Sequence, residues 1–249
     1  TLFARALETP GGLQIQIIHA FCTTILKRFP LEANIAGHFE MMDDETGDLI
    51  KADAINRLKT EAHDAVDEAL ASAYELALDE AGENALEALF EAALSGPQRS
   101  DIQAFVEAVD KGVIGPEELA RAVGLKPGET RVDVLASLWP LFSLPPALIQ
   151  DIAAAAPKLS ATVQSFSKKL TESMNSQDGE HRFELLSEAF LTGGKPRKNT
   201  NYLKIFDGFG VIFDTAANEV LSATDLLSRL SMLDLSKAAH ILLRRLMQI

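Results

Sequence analysis

Ile55-Asn56-Arg57-Leu58-Lys59-Thr60-Glu61-Ala62-His63-Asp64-Ala65-Val66-Asp67-Glu68-Ala69-Leu70-Ala71-Ser72-Ala73-Tyr74-Glu75-Leu76 is the stretch on which the fold turns. Ile55, Leu58, Ala62, Val66, Ala69, Ala73 and Leu76 recur at spacings of three and four, the period of one face of an α-helix. Asp and Glu fill the opposite side. The spacing predicts one long amphipathic helix with an acidic outer face. Composition agrees, since 47% hydrophobic and 24% charged residues lie in the globular range, and only 6% are aromatic. A chain rich in Ala, Leu, Glu and Asp favours helices over sheets. The expected fold class is all-α, an irregular multi-helix domain with one short strand near the N-terminus.

Upstream, Thr9-Pro10-Gly11-Gly12 is a turn signal, and Leu13-Gln14-Ile15-Gln16-Ile17 alternates as a half-buried strand does. From about His19, the residues Phe21, Cys22, Ile25, Leu26 and Phe29 have helical spacing, and Pro30 ends that helix. Downstream, a helix from Asn84 to Leu94 stops at Ser95-Gly96-Pro97. Ser100 and Gln103 have capping-box spacing, and Pro116 suits a first helical turn. Prolines 127, 140, 145, 146 and 157 divide the middle into short helices. Ser160 to Met174 is again amphipathic, Gly193 to Lys198 is a basic loop, and one long helix is expected from about Phe213. Both ends of the chain run in helical patterns, so a piece of a longer protein is expected.

The formal net charge of −13 opposes binding to a polyanion when taken over the whole molecule. Its distribution is uneven. Glu40 to Glu118 holds 21 acidic and 5 basic residues, 5 − 21 = −16, which leaves +3 for everything else. A single cysteine, Cys22, excludes an internal disulfide. There is no signal-peptide pattern and no run of about 20 apolar residues, so a cytoplasmic, non-membrane protein is expected.

Ile15-Gln16-Ile17-Ile18-His19-Ala20-Phe21-Cys22 resembles the single-strand DNA motif of UvrD-like superfamily 1 helicases. The flanks Ala4 to Gly12 and Lys27 to Ala33 look like the AddA subunit of the AddAB helicase-nuclease. Phe190-Leu191-Thr192 with Gly194-Lys195-Pro196-Arg197-Lys198 is similar to a further AddA segment. The family usually has Thr where Ile17 stands, which removes a hydroxyl that could cap a helix or reach a phosphate. The resemblance implies that residues 1–36 end RecA-like domain 1A and that residues 37–249 form the helical 1B insertion. It implies DNA contact by His19, Ala20 and Phe21, an AddB-type partner and a role in double-strand break repair. ATP and magnesium would act in the parent protein, with no cofactor in this chain, and the fragment would be inactive alone.

Other constellations fail on chemistry. His19 and Cys22 lack the third group that would orient a base for a thiolate, and the five histidines show no zinc spacing. Val66-Asp67-Glu68-Ala69 mimics a helicase acidic box, but the reading places it mid-helix rather than at a strand end. Gly194-Lys195 lacks the P-loop frame, and Gly208-Phe209-Gly210 lacks the third glycine of a dinucleotide loop. The basic candidates for phosphate contact are Lys168, Lys169, Lys195, Arg197, Lys198 and Lys204, with Tyr202 beside them as a stacking candidate. Arg244 and Arg245 are expected on the exposed side of the last helix. The rival reading is a helical protein-interaction module whose partner surface is the acidic region from Glu40 to Glu118.

Overall fold

The computed structural model describes residues 18–36, 39, 42–65, 67–138, 144–198 and 209–249. Among these the fold is all-α, with eleven α-helices and one two-stranded ladder. The expected N-terminal strand lies outside the described residues, and Ile18 already opens helix α1 (Ile18–Arg28). The described ladder pairs β1 (Leu191–Thr192), just before the stretch read as a basic loop, with β2 (Lys195–Pro196) inside it. None of the described helices is long and apolar enough to cross a membrane.

The chain divides into two compact units, residues 1–54 and 55–249. In the first, α1 ends as expected ahead of Pro30, and Asn34 takes a left-handed conformation in the turn that follows. The Lys27 ammonium lies 5.9 Å from the centre of the Phe39 ring. Ile18, Phe21 and Ile25 on α1, and Phe29 just after it, are exposed. Helix α2 (Asp44–His63) begins in this unit, where the Thr46 amide donates to Asp43 Oδ1 at 2.7 Å. The bond from the Thr46 side chain first, and then this amide bond, hold the Asp43 carboxyl below its usual range.

The second unit corrects the single helix expected over 55–76. α2 stops at His63, and α3 (Glu68–Ala81) starts after a break in which Ala65 has φ 50°. Asp67 is the cause on the α3 side, because its carboxylate accepts from the Ala69 and Leu70 amides at 2.9 and 3.3 Å. An aspartate that satisfies two of the first-turn donors starts a helix rather than continuing one. Leu58, Ala62 and Ala73 are buried as expected, but beyond the break Leu70 and Ala77 take the places read for Ala69 and Leu76.

Gly82, at φ 82°, separates α3 from α4 (Glu83–Ser95), which ends at Gly96 as expected. The Ser100 capping box does not form. The turn from Gly96, closed by the Arg99 amide on the Gly96 carbonyl at 3.1 Å, starts α5 (Arg99–Asp110) two residues earlier, with Gln98 in the cap position and Ser100 within the helix. α6 (Pro116–Ala122) begins at Pro116 as read, with the Glu118 carboxylate accepting from the Gly115 amide at 3.0 Å. In α7 (Arg131–Ser137) Thr130 and Asp133 make reciprocal caps. α8 (Pro146–Ala155) and a single 3-10 turn at Ala156–Lys158 lead to α9 (Ala161–Asn175) and α10 (Gly179–Phe190). The ladder follows, and then α11 (Phe209–Leu246).

α11 is the spine of this unit. Its 38 residues extend roughly 57 Å at 1.5 Å per residue. Helices α3, α4, α5, α6, α7 and α10 and both strands of the ladder pack along it. Phe213, Ala216, Ala217, Val220, Leu227, Leu230 and Leu233 join residues of α6 to α10 in one apolar core. Four fully buried or nearly buried rings, Phe166, Phe190, Phe209 and Phe213, stand 5.1 to 6.5 Å apart at its centre. Further along, the Arg245 guanidinium binds the Glu61 carboxylate through two bonds of 2.6 and 2.7 Å. Arg245 is therefore not the solvated residue that the sequence pattern suggested, and it holds Glu61 below the usual carboxylate range. Arg244 is exposed as expected, 3.6 Å from Asp110.

Candidate nucleic-acid interface

The segment after α10 is built to present cations. Its first residue, Leu191, is buried, and the register Leu191↔Pro196 and Thr192↔Lys195 closes on a two-residue turn. Both turn residues have positive φ, 58° at Gly193 and 70° at Gly194. That pair of conformations defines a type I′ hairpin, and glycine enters it without steric cost. Arg197 seats the hairpin on the body. Its amide donates to the Phe190 carbonyl at 2.8 Å and its Nε to the Leu191 carbonyl at 2.9 Å. Lys195 and Lys198 on either side are exposed.

Lys169 and Arg197 come together across a pocket of about 150 Å3 lined by Thr162, Ser165, Phe166 and Glu188. The Glu188 carboxylate lies 2.8 Å from Lys169 Nζ. The Lys169 hydrogen bond first, then the charges of Lys169 and Arg197, hold the Glu188 carboxyl below its usual range. Neighbouring positions on a helix point about 100° apart, so Lys168 does not share this pocket. It is exposed and 3.7 Å from Glu172. Lys204 and Tyr202 lie outside the described residues. So the six basic candidates separate into two presented lysines, two cations engaged around Glu188, one loosely paired lysine and one position that is not described.

The N-terminal motif is described only in part. Ala20 and Phe21 are exposed on α1, as is Cys22. The side chain of His19 and all of residues 13–17 lie outside the described residues. Asp67 of the acidic-box mimic caps α3 rather than standing mid-helix, which leaves its carboxylate committed to two amides. Gly194-Lys195 is the hairpin turn and its neighbour, and Phe209 and Gly210 are buried at the start of α11. Among the described residues no group of three His, Cys, Asp or Glu could hold a metal ion. His240 meets Asp110 at 2.9 Å instead.

Sequence reasoning missed Glu188, Thr162 and Ser165, because nothing in their local spacing marks them. Only the packing of α9 against α10 brings them to the cations. The comparisons add no relative: no family model, no curated protein and no solved structure matches this chain.

Proposed function

We propose that this chain is the DNA-contacting part of an AddA-type, UvrD-like ATP-dependent helicase-nuclease subunit, with the Leu191–Lys198 hairpin gripping backbone phosphate. The observation that carries the reading is a seated type I′ hairpin that presents Lys195 and Lys198 to solvent on a chain of net charge −13. Two cations beside a glycine turn have no fixed alignment with base edges, which suits sequence-independent contact with phosphates. The motif residues His19, Ala20 and Phe21 would meet single-stranded DNA within the parent protein. The parent would bind ATP and magnesium, pair with an AddB-type subunit and act in double-strand break repair. This chain alone would not hydrolyse ATP.

The test is titration of a fluorescent forked duplex at several salt concentrations. Two phosphate contacts give a log-affinity against log-salt slope of about −1.8, at roughly −0.9 per contact. The double variant K195A/K198A should flatten it. An unchanged slope in that variant would place the DNA surface elsewhere.

A second reading rests on a different observation. From Asp64 to Gln98 there is no Lys or Arg, and Glu68, Glu75, Asp79, Glu80, Glu83, Glu87 and Glu91 are all exposed. Lys59, 2.7 Å from Glu87 and 4.0 Å from Glu83, is the described cation that pairs with them. Such a surface fits a basic protein partner. Salt-sensitive capture of a basic protein by the whole chain, lost on neutralising these acids, would favour it.

A further inference from the structure

The pocket between α9 and α10 is better furnished for an anion than its present use requires. Lys169 carries three N–H donors and Arg197 five, and of these eight only one on Lys169 and the Nε of Arg197 have described acceptors. The hydroxyl-bearing Thr162 and Ser165 line the same space. Its volume of about 150 Å3 is many times the roughly 10–15 Å3 that one water needs. The one anion present, Glu188, is supplied by the protein itself. Its side chain is 53% exposed, so it can turn out to water without unfolding α10. Arg197, by contrast, is fixed through its own amide and Nε, so it cannot follow.

We infer that this pocket is an oxyanion site of the phosphate class in which Glu188 stands in the place of the anion and leaves when a phosphate enters. A carboxylate and a phosphate accept from the same ammonium and guanidinium donors, but the phosphate offers more oxygens and more charge. It can engage Lys169 and Arg197 together, whereas Glu188 is bonded to Lys169 alone. While Glu188 stays in place, its charge repels the incoming anion, so it sets the threshold for binding. The link to DNA rests on the function proposed above: Lys195 and Lys198 flank Arg197 along the chain, and Arg197 lines the pocket. The site itself also admits free phosphate.

Glu188→Gln keeps the shape of the side chain and removes its charge. With inorganic phosphate as the probe, millimolar additions at constant ionic strength should raise the melting temperature of E188Q. They should raise that of the unsubstituted chain less and only at higher phosphate concentration, and leave the double variant E188Q/K169M unmoved. With the forked duplex, E188Q should gain one phosphate contact. Its salt slope then steepens by about 0.9, an extra loss of about 3.5-fold in affinity between roughly 50 and 200 mM salt. Phosphate stabilisation of E188Q without DNA binding by any variant would support the site, with free phosphate as its ligand, and would refute the DNA reading. DNA binding that depends on Lys195 and Lys198, but with E188Q altering neither the slope nor the response to phosphate, would overturn the inference and leave the DNA reading standing. No response to either probe would overturn both.

Discussion

Phe190 joins the core to the proposed contact. Its ring is fully buried against Phe166 and Phe213, at 5.4 and 5.1 Å between centroids, while its carbonyl receives the Arg197 amide. Phe190→Ala should lower the unfolding free energy by about 3–5 kcal/mol, the range for deleting a buried aromatic ring. Denaturant titration would check it, and a loss under about 1 kcal/mol would mean that the ring cluster is not the centre of the core. At this scale the sequence is legible where one residue decides a local conformation, as Pro116 does for α6 and Pro30 for the end of α1. Asp67 was legible in principle, being a favoured cap residue three positions ahead of an apolar one. The apolar spacing from Ile55 to Leu76 continues in near phase across the break, with Ala73 buried on both readings, so period alone does not register it.

Among the elements, the helices announced themselves through period and the hairpin did not. Two-residue strands are too short to show alternation, so Gly193-Gly194 was the only available signal, and Pro196 beside it argued for a loop. The turn gives a sharp prediction. A Cβ on Gly194 would meet nothing within 4 Å, so any cost of Gly194→Ala is conformational and arises from φ 70°. That cost is roughly 1–2 kcal/mol, placed on the hairpin alone. Amide exchange from Thr192 to Arg197 should accelerate while the global melting temperature stays nearly unchanged. Gly194→Asn should be milder, because asparagine tolerates left-handed backbone better than alanine. Equal exchange rates in the alanine variant and the unsubstituted chain would contradict the turn assignment. α11 was the most legible element, since its apolar stripe is long, yet it starts at Phe209 rather than Phe213, where the Phe209 ring meets Phe166 of α9.

Over the whole molecule, sequence gives the sum of charges but not their pairing. Glu61 and Arg245 are 184 positions apart, and Glu188 meets Lys169 only because α9 packs on α10. These pairs set a pH dependence whose sign follows from their shifts. Glu61, Glu107, Glu118 and Glu188 are all held below the usual carboxylate range, mainly by Arg245, Lys111, backbone amides at the start of α6 and Lys169 respectively. Groups with depressed folded values stabilise fully above their unfolded value, about 4.3 for glutamate. That stabilisation is lost as pH falls through the folded values. The denaturation midpoint should therefore fall below about pH 4, and Glu61→Gln should make that decline shallower. A midpoint that rises on acidification would mean that repulsion among the unpaired acids of α3 and α4 outweighs the pairs. The proposed DNA contact is tested most directly by lysine acetylation footprinting of the whole chain with and without a forked duplex. Lys195 and Lys198 should be modified more slowly when DNA is present, while the exposed Lys111, Lys126 and Lys158 react at unchanged rates. Equal modification of Lys195 and Lys198 with and without DNA that is bound, or protection confined to the other lysines, would contradict the account.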